Sequence, residues 1–243
     1  MNELSLFTGA GGGLLGTKLL GWKAIGYVEK ETYCQKVLRQ RTADGILDAA
    51  PIFGDIRKFI SEGYAASYTG LVDVITAGFP CQPFSVAGKQ KGAADERNMW
   101  PATATVIGIV KPRFVLLENV PGVRSYLPVV VRDLRRLGYE VSRPLILGAD
   151  DVGAPHRRKR VWILAHDAYQ PNGKHYPGTV QRQIQQLGLP VHFIKDSPVN
   201  ARHPFIILVV VSHLKVSQVL MQMVYSFSAV RGPLHLLARS LLI

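Results

Sequence analysis

The first 20 residues place an apolar run, a glycine-rich turn and a helix-like stretch in direct succession. Leu4–Phe7 is predicted as a strand, Thr8–Gly13 as a turn, and Leu14–Leu20 as a helix because of its apolar spacing. Such a unit brings backbone N–H groups and a helix N-terminus close to a ligand, although a purely structural turn explains the same pattern. Because this arrangement is typical of open α/β sheets, it constrains the fold more than any other feature does.

Acidic residues follow two further apolar runs. Lys23–Val28 is predicted as a second strand that ends at Glu29, about 20 positions after the glycine turn, where a carboxylate is placed to accept hydrogen bonds from ribose hydroxyls. Asp55 stands after the short run Pro51–Phe53. Its carboxylate either caps the next helix or binds an exocyclic amine while Ile56 packs on a ring.

A cysteine lies between prolines directly after another predicted strand. Leu71–Ala77 is β-branched and apolar, and the chain then runs through Gly78 into Pro80-Cys81-Gln82-Pro83. Proline rings restrict the backbone on both sides of Cys81. A thiol held at the carboxyl end of a buried strand stands where open α/β sheets place their chemistry, so Cys81 is either a nucleophile or a small buried filler.

The predicted strand Arg113–Leu117 ends at Glu118. A carboxyl that closes a strand of Phe, Val and Leu is partly desolvated, which favours its protonated form. Tyr139–Leu147 and Lys159–Leu164 alternate like the strands of a hairpin pair. The basic run Gly153–Arg160 lies between them, and its position at the mouth of the hairpin favours a directed cationic role over a solvated face.

The formal net charge of +12 predicts a polyanionic partner, since Lys and Arg gain free energy by displacing counterions from phosphates. The two cysteines, Cys34 and Cys81, have neither metal-ligand spacing nor a disulfide framework. No basic region followed by an apolar core begins the chain, which argues against a signal peptide. A reducing, cytoplasmic setting is therefore expected.

Taken together, these stretches resemble the DNA (cytosine-5) methyltransferase family. The matching segments are the S-adenosylmethionine loop Phe7-Thr8-Gly9-Ala10-Gly11-Gly12, the ribose-binding acid Glu29, the adenine contacts Asp55 and Ile56, the catalytic Pro80-Cys81-Gln82, and Glu118-Asn119-Val120. His156, Arg158 and Arg160 fall on the family's Gln-x-Arg-x-Arg pattern, with histidine where glutamine is usual. The segments follow the family's order and spacing over residues 1–165.

The resemblance implies methyl transfer from S-adenosylmethionine to carbon 5 of a cytosine flipped out of double-stranded DNA. It implies that Cys81 forms a covalent adduct at carbon 6 and that Glu118 holds ring N3 and the exocyclic amine. Arg158 and Arg160 are the implied contacts to the base carbonyl, the cysteine loop or phosphate, and Pro80 is an implied cofactor contact. Supporting roles are implied for Gln82, Ser85, Asn119 and His156. No metal, membrane or obligate protein partner is expected.

The fold that the resemblance implies is a three-layer, Rossmann-like α/β domain whose mostly parallel sheet carries an antiparallel hairpin strand. We expect a catalytic core in residues 1–165 and an atypical tail in residues 166–243, which is frameshifted or degenerate where the family has a target-recognition region and a closing motif. The setting expected from the family is prokaryotic or phage-type restriction-modification.

Three alternatives stay open at this point. The chain could be an inactive, truncated remnant that binds DNA or cofactor only, because the family's C-terminal motifs are not recognisable in it. A nicotinamide-dependent oxidoreductase would share the glycine turn and Glu29, but it would not explain Pro-Cys-Gln, Glu-Asn-Val and the arginine run together. An RNA-directed relative would share the core chemistry.

Overall fold

The computed structural model describes residues 1–80, 98–152 and 156–168, and these residues build one twisted sheet with helices on both faces. Its first five strands are β1 (Asn2–Leu6), β2 (Lys23–Val28), β3 (Ile52–Phe53), β4 (Val74–Ala77) and β5 (Phe114–Asn119). These strands run parallel in the order β3-β2-β1-β4-β5.

Beyond β5 the sheet becomes antiparallel. Strand β8 (Arg160–Asp167) pairs antiparallel with β5, and both β6 (Tyr139–Val141) and β7 (Leu145–Leu147) pair antiparallel with β8. The mostly parallel sheet predicted from the sequence is therefore confirmed. The single strand predicted over Tyr139–Leu147 is wrong, since it divides before Pro144, which has no N–H group to donate to a ladder.

Helices separate into two layers because neighbouring strand residues point to opposite faces. Ile75 and Leu117 belong to the cluster that α3 (Ile56–Ser61), α4 (Trp100–Val110) and α5 (Leu127–Arg136) cover. On the other side, α1 (Gly12–Leu19) and α2 (Thr32–Ala43) pack on β2 through Leu14, Leu38 and Tyr27.

The carboxyl ends of the parallel strands define one edge of the sheet. The glycine loop, Glu29, Asp55, Gly78 and Glu118 all follow or close these strands, so the topology gathers them at that edge. Strand β8 runs the opposite way, with Val161 beside Asn119, so its first residue, Arg160, lies at the same edge. A strand 42 positions further along the chain thus supplies the cation for Glu118.

None of the helices in the described part of the chain is long and apolar enough to cross a bilayer. The predicted boundary at residue 165 falls near the end of β8, and residues 169–243 lie outside the described part. The division into a core and an atypical tail therefore stays a prediction.

Candidate functional site

The glycine loop leaves β1 through an unusual backbone conformation. Phe7 has a φ of 54°, which non-glycine residues rarely adopt, and Gly9 and Gly11 have φ values of 58° and 85°. A Cβ built at Gly9 or Gly12 meets no atom within 4 Å, so the backbone at these two positions faces open space. The loop is therefore shaped to let a ligand approach its main chain closely.

Gly11 is required for the opposite reason. A Cβ at this position would lie 2.9 Å from Leu47 Cδ1, closer than real side chains approach, and only 3.0 Å from Leu38 Cδ2. These leucines belong to the same packed cluster as Leu14 of α1. The glycine thus lets the start of α1 pack directly on α2 and on the turn that follows it.

Glu29 holds the loop from the end of β2. Its side chain is buried, and its carboxylate accepts the Gly9 N–H at 2.6 Å and the Glu31 N–H at 2.8 Å. An ionised carboxylate has about four acceptor positions, so two stay available to hydroxyl donors of a ligand. The structure thus brings together the loop and the acid that the sequence analysis selected.

Asp55 and Ile56 occupy the start of α3. Asp55 is the N-cap: its Oδ1 accepts the Arg57 N–H at 2.8 Å, and its Oδ2 lies 3.3 Å from Lys30 Nζ. The backbone hydrogen bond is the main reason that the pKa of Asp55 is lowered. Ile56 is only 3% exposed and its side chain packs in the core, so its contact with a bound ring stays a prediction.

An aromatic residue that the sequence analysis missed lies next to Asp55. Phe53, the last residue of β3, is partly buried, and its ring centroid lies 4.8 Å from that of Phe59 and 5.1 Å from that of the exposed Tyr64. The sequence signal that could have selected Phe53 is an aromatic residue at the end of a predicted strand, directly before Gly54-Asp55. Phe53 is therefore a better candidate than Ile56 for contact with a planar ligand group.

Glu118 and Arg160 form an ion pair at the other half of the edge. Arg160 Nε lies 2.6 Å from Glu118 Oε1, and the two side chains are 21% and 32% exposed. Burial raises the pKa of Glu118, although the charges of Arg160 and Arg158 act against this rise. Arg160 thus orients this carboxyl, while burial keeps the pKa of Glu118 above its ordinary value.

Gly78 lies against the second oxygen of this carboxyl. A Cβ at Gly78 would come within 3.3 Å of Glu118 Oε2. The segment that leads from β4 toward Cys81 therefore passes directly beside Glu118. No local sequence signal pairs these two residues, because about 40 positions separate them in the chain.

Asn119 fixes the same segment from the other face of β5. Its Nδ2 donates to the Phe79 carbonyl oxygen at 2.9 Å, and the buried Phe79 ring packs on Trp100 with centroids 5.4 Å apart. Pro80 is exposed at the end of this anchored stretch. Cys81, Gln82 and Ser85 lie outside the described residues, so their assigned roles stay predictions.

The basic segment before β8 reaches the site only in part. Arg160 contacts Glu118 directly. Arg158 is exposed, but its charge is close enough to oppose the rise in the pKa of Glu118 that burial causes. His156 is partly buried at a bend and has no hydrogen bond or ion pair with another described residue. Within the described ranges, no three His, Cys, Asp or Glu side chains are grouped to hold a metal ion.

Comparison with known proteins decides the family. Residues 1–202 match the family model of the C-5 cytosine-specific DNA methylases. The chain belongs to this family. The match extends past residue 165 into the segment predicted as an atypical tail.

Individual members of the family are similar to the chain. The chain is 31% identical over 191 residues to the type II methyltransferase M.NgoMIV of Neisseria gonorrhoeae, covering 76% of the chain and 58% of that protein. It is 33% identical over 194 residues to M.HpaII of Haemophilus parainfluenzae, covering 74% and 50%. The chain thus spans about half of the length of these relatives.

A solved structure supports the fold. The Dnmt2 methyltransferase of S. pombe matches with a TM-score of 0.55 and 21% identity, over 70% of this chain and 52% of that one. At this identity the likeness shows a shared architecture, namely the mostly parallel α/β sheet described above.

Proposed function

We propose that this chain transfers a methyl group from S-adenosylmethionine to carbon 5 of a cytosine in double-stranded DNA. The observation that carries the proposal is the Glu118–Arg160 ion pair, 2.6 Å long, beside Gly78 on the segment that runs into Pro80-Cys81. Membership of the DNA methylase family supports the same reaction.

The cofactor side of the sheet edge comprises the glycine loop, Glu29, Phe53 and Asp55. These residues fit S-adenosylmethionine. Glu29 keeps acceptor positions for two ribose hydroxyls, and open space at Gly9 and Gly12 leaves room for a ligand against the main chain. Phe53 and the N-cap carboxylate of Asp55 stand at the neighbouring strand end and would contact the adenine ring and its amine. When bound, the cofactor supplies an electrophilic methyl group on a sulfonium.

Cys81 is the proposed nucleophile. Carbon 5 of cytosine is a poor nucleophile, so the thiolate first forms a bond with carbon 6 and turns the ring into an enamine-like species. Carbon 5 would then form a bond with the methyl carbon while the methyl–sulfur bond breaks, so that S-adenosylhomocysteine leaves as a neutral thioether. Loss of the carbon 5 proton to a base and cleavage of the bond between sulfur and carbon 6 restore the aromatic ring and free the thiolate.

Glu118 is proposed to stabilise the adduct. Addition at carbon 6 places negative charge on the ring, and a protonated carboxyl near N3 meets that charge by a hydrogen bond or by proton transfer. Because burial raises the pKa of Glu118, this proton is held to higher pH than on a free glutamate. Arg160 orients the carboxyl, and the exposed Arg158 is free to contact the base carbonyl or a phosphate.

The proposed partner is duplex DNA. Residues 1–165 carry 22 basic and 15 acidic side chains, a balance of +7, so the core alone favours a polyanion. The base must leave the stack before a thiolate reaches carbon 6, which costs on the order of a few kcal/mol that pocket contacts have to recover. The cytoplasmic, prokaryotic or phage-type setting stays a prediction.

The direct test is radiolabelled methyl transfer to unmethylated duplex DNA, followed by covalent trapping on duplexes that contain 5-fluorocytosine. We expect label in cytosine and a trapped complex, and we expect Cys81→Ser to abolish both while S-adenosylhomocysteine still binds. Loss should be on the order of 10⁴-fold or more.

Other outcomes separate the alternatives. Cofactor binding without any transfer would identify an inactive remnant, and label in RNA but not in duplex DNA would identify an RNA-directed enzyme. Thermal protection by NAD instead of S-adenosylhomocysteine would overturn the proposal in favour of an oxidoreductase.

A further inference from the structure

Arg41, in the last turn of α2, contacts the glycine loop although no sequence motif includes it. Its Nη1 donates to the Ala10 carbonyl oxygen at 2.6 Å, joining residues 31 positions apart. Ala10 lies between Gly9 and Gly11, whose conformations shape the proposed cofactor loop. A side chain on α2 thus fixes the orientation of a peptide group at the centre of that loop.

The environment of Arg41 is unusual for a structural arginine. Its side chain is partly buried, and this burial lowers the pKa of the guanidinium. Within the described residues, no carboxylate forms an ion pair with Arg41. Burying a guanidinium costs free energy, and one carbonyl hydrogen bond offsets only part of that cost. Arg41 therefore contributes less to stability than its burial suggests, which favours a role in orienting the Ala10 peptide.

The main chain of Arg41 holds the same region from another side. Its carbonyl oxygen accepts the Ile46 N–H at 2.8 Å and the Leu47 N–H at 3.1 Å, which fixes the turn after α2. Leu47 from this turn and Leu38 from α2 close around Gly11. The position of Ala10 and the packing at Gly11 are therefore both determined by the end of α2.

We propose that Arg41 is a positioning residue for cofactor binding, which sets the affinity for S-adenosylmethionine by holding the Ala10 peptide without touching the ligand. The inference rests on the proposed function, since it assumes that the glycine loop binds this cofactor. It adds a determinant from α2 to a site otherwise made at the strand ends.

The test is titration of the full chain with S-adenosylhomocysteine by calorimetry. Arg41→Met removes the hydrogen bond and keeps much of the side-chain volume, so we expect about 10-fold weaker binding. Arg41→Lys keeps a donor and should recover most of that loss, to within about 3-fold of the parent chain. The matched control is Lys18→Met, because Lys18 Nζ donates to the Ile46 carbonyl oxygen at 2.6 Å and ties α1 to the same turn without touching the loop. It should change affinity by less than about 2-fold.

Amide hydrogen exchange gives a second measurement that needs no cofactor. The Gly9 N–H donates to Glu29 and the Gly11 N–H to the Thr8 carbonyl oxygen, so both are protected in the intact loop. We expect Arg41→Met to speed exchange at these two amides, with no change in Lys18→Met.

The results separate the possible roles. A lower melting temperature of Arg41→Met with unchanged affinity and unchanged exchange at Gly9 and Gly11 would overturn the inference, because Arg41 would then only stabilise the fold. If the parent chain fails to bind S-adenosylhomocysteine, the proposed function fails. Exchange at the two amides then decides alone whether Arg41 positions the loop.

Discussion

The two halves of the sheet edge are built differently. At the cofactor side, Glu29 is held by N–H groups of Gly9 and Glu31, and all three residues lie between the end of β1 and the start of α2. The base side is the half of the edge that would hold the cytosine. There, Glu118 forms an ion pair with Arg160 of the antiparallel strand β8 and lies against Gly78, which follows β4. Glu29 is held by groups at most 20 positions away in the chain, whereas Glu118 is held by groups about 40 positions away.

This difference predicts different sensitivities. Backbone N–H groups are fixed once β1, β2 and α2 have formed, so the cofactor side should tolerate changes elsewhere in the sheet. The base side requires three strands in register, and its carboxyl is partly desolvated. We therefore expect variants at the base side to affect the reaction and not cofactor affinity, and variants at the cofactor side to do the reverse.

Among the variants that test this difference between the two halves, the largest effect is expected for Glu118→Gln. The amide keeps the shape of the carboxyl but has no acid proton to transfer, so trapping on 5-fluorocytosine DNA should slow by on the order of 10²- to 10⁴-fold. Affinity for S-adenosylhomocysteine should stay within about 2-fold of the parent chain. A variant that loses cofactor affinity as well would show that the two halves are not independent.

The pH dependence of trapping by the parent chain tests whether the reaction uses the proton of Glu118. Burial raises the pKa of Glu118, so its protonated form persists to higher pH than on an ordinary glutamate. If the reaction uses that proton, the rate of trapping falls as the pH rises through the pKa of the folded state. The residual rate of Glu118→Gln should lack this fall.

Glu29→Ala is the corresponding change at the cofactor side. It leaves the Gly9 and Glu31 N–H groups without their acceptor, so the dissociation constant for S-adenosylhomocysteine should rise by about 10- to 100-fold. At saturating cofactor the trapping rate should recover. Glu31→Ala is the control, since Glu31 is exposed and makes no side-chain cap on α2. Equal losses in both variants would contradict the assigned role of Glu29.

A smaller effect is expected for Gly78→Ala. The added methyl group would lie 3.3 Å from Glu118 Oε2, so the carboxyl has to move by a few tenths of an ångström. Such misplacement should slow trapping by about 10-fold. Gly54→Ala is matched to it, because its Cβ meets only Gln35 Nε2 at 3.9 Å. An unchanged trapping rate in Gly78→Ala would show that the reaction tolerates a small displacement of the Glu118 carboxyl.

The smallest effect on turnover is expected for Glu3→Gln, which should change stability alone. Glu3 is 1% exposed on β1 and accepts a hydrogen bond from Thr76 Oγ1 at 2.6 Å. Burial raises its pKa from 4.5 to about 7, so the folded chain binds this proton more tightly than the unfolded chain does. Between these two pH values the free energy of unfolding falls as the pH rises, by about 3 kcal/mol in all.

Urea unfolding at pH 5 and pH 8 measures this contribution. Glu3→Gln should lose about 2.5 kcal/mol less than the parent chain over this range, because part of the titration is already complete at pH 5. Glu62→Gln, at an exposed position, is the control and should follow the parent chain. Identical pH profiles for Glu3→Gln and the parent chain would show that Glu3 does not carry the effect.

Much of the parallel half of the sheet was predictable because its signals are local. The strand over Lys23–Val28 matches its predicted bounds, and Glu29 follows it directly. Periodicity and glycine placement act over a few residues, so they are visible in a linear sequence. The strand division before Pro144 shows the limit, since an alternating pattern continues through a residue that cannot join a ladder.

By itself, the sequence determined the fold class, the order of the site segments and the family. Only the tertiary structure decided that Ile56 enters the core, that Asn119 anchors the Phe79 carbonyl, and that Gly78 and Arg160 enclose Glu118. The physical reason is the separation along the chain of the residues that interact. Local backbone preferences act between neighbours, whereas burial and contacts between residues about 40 positions apart exist only once the strands have paired.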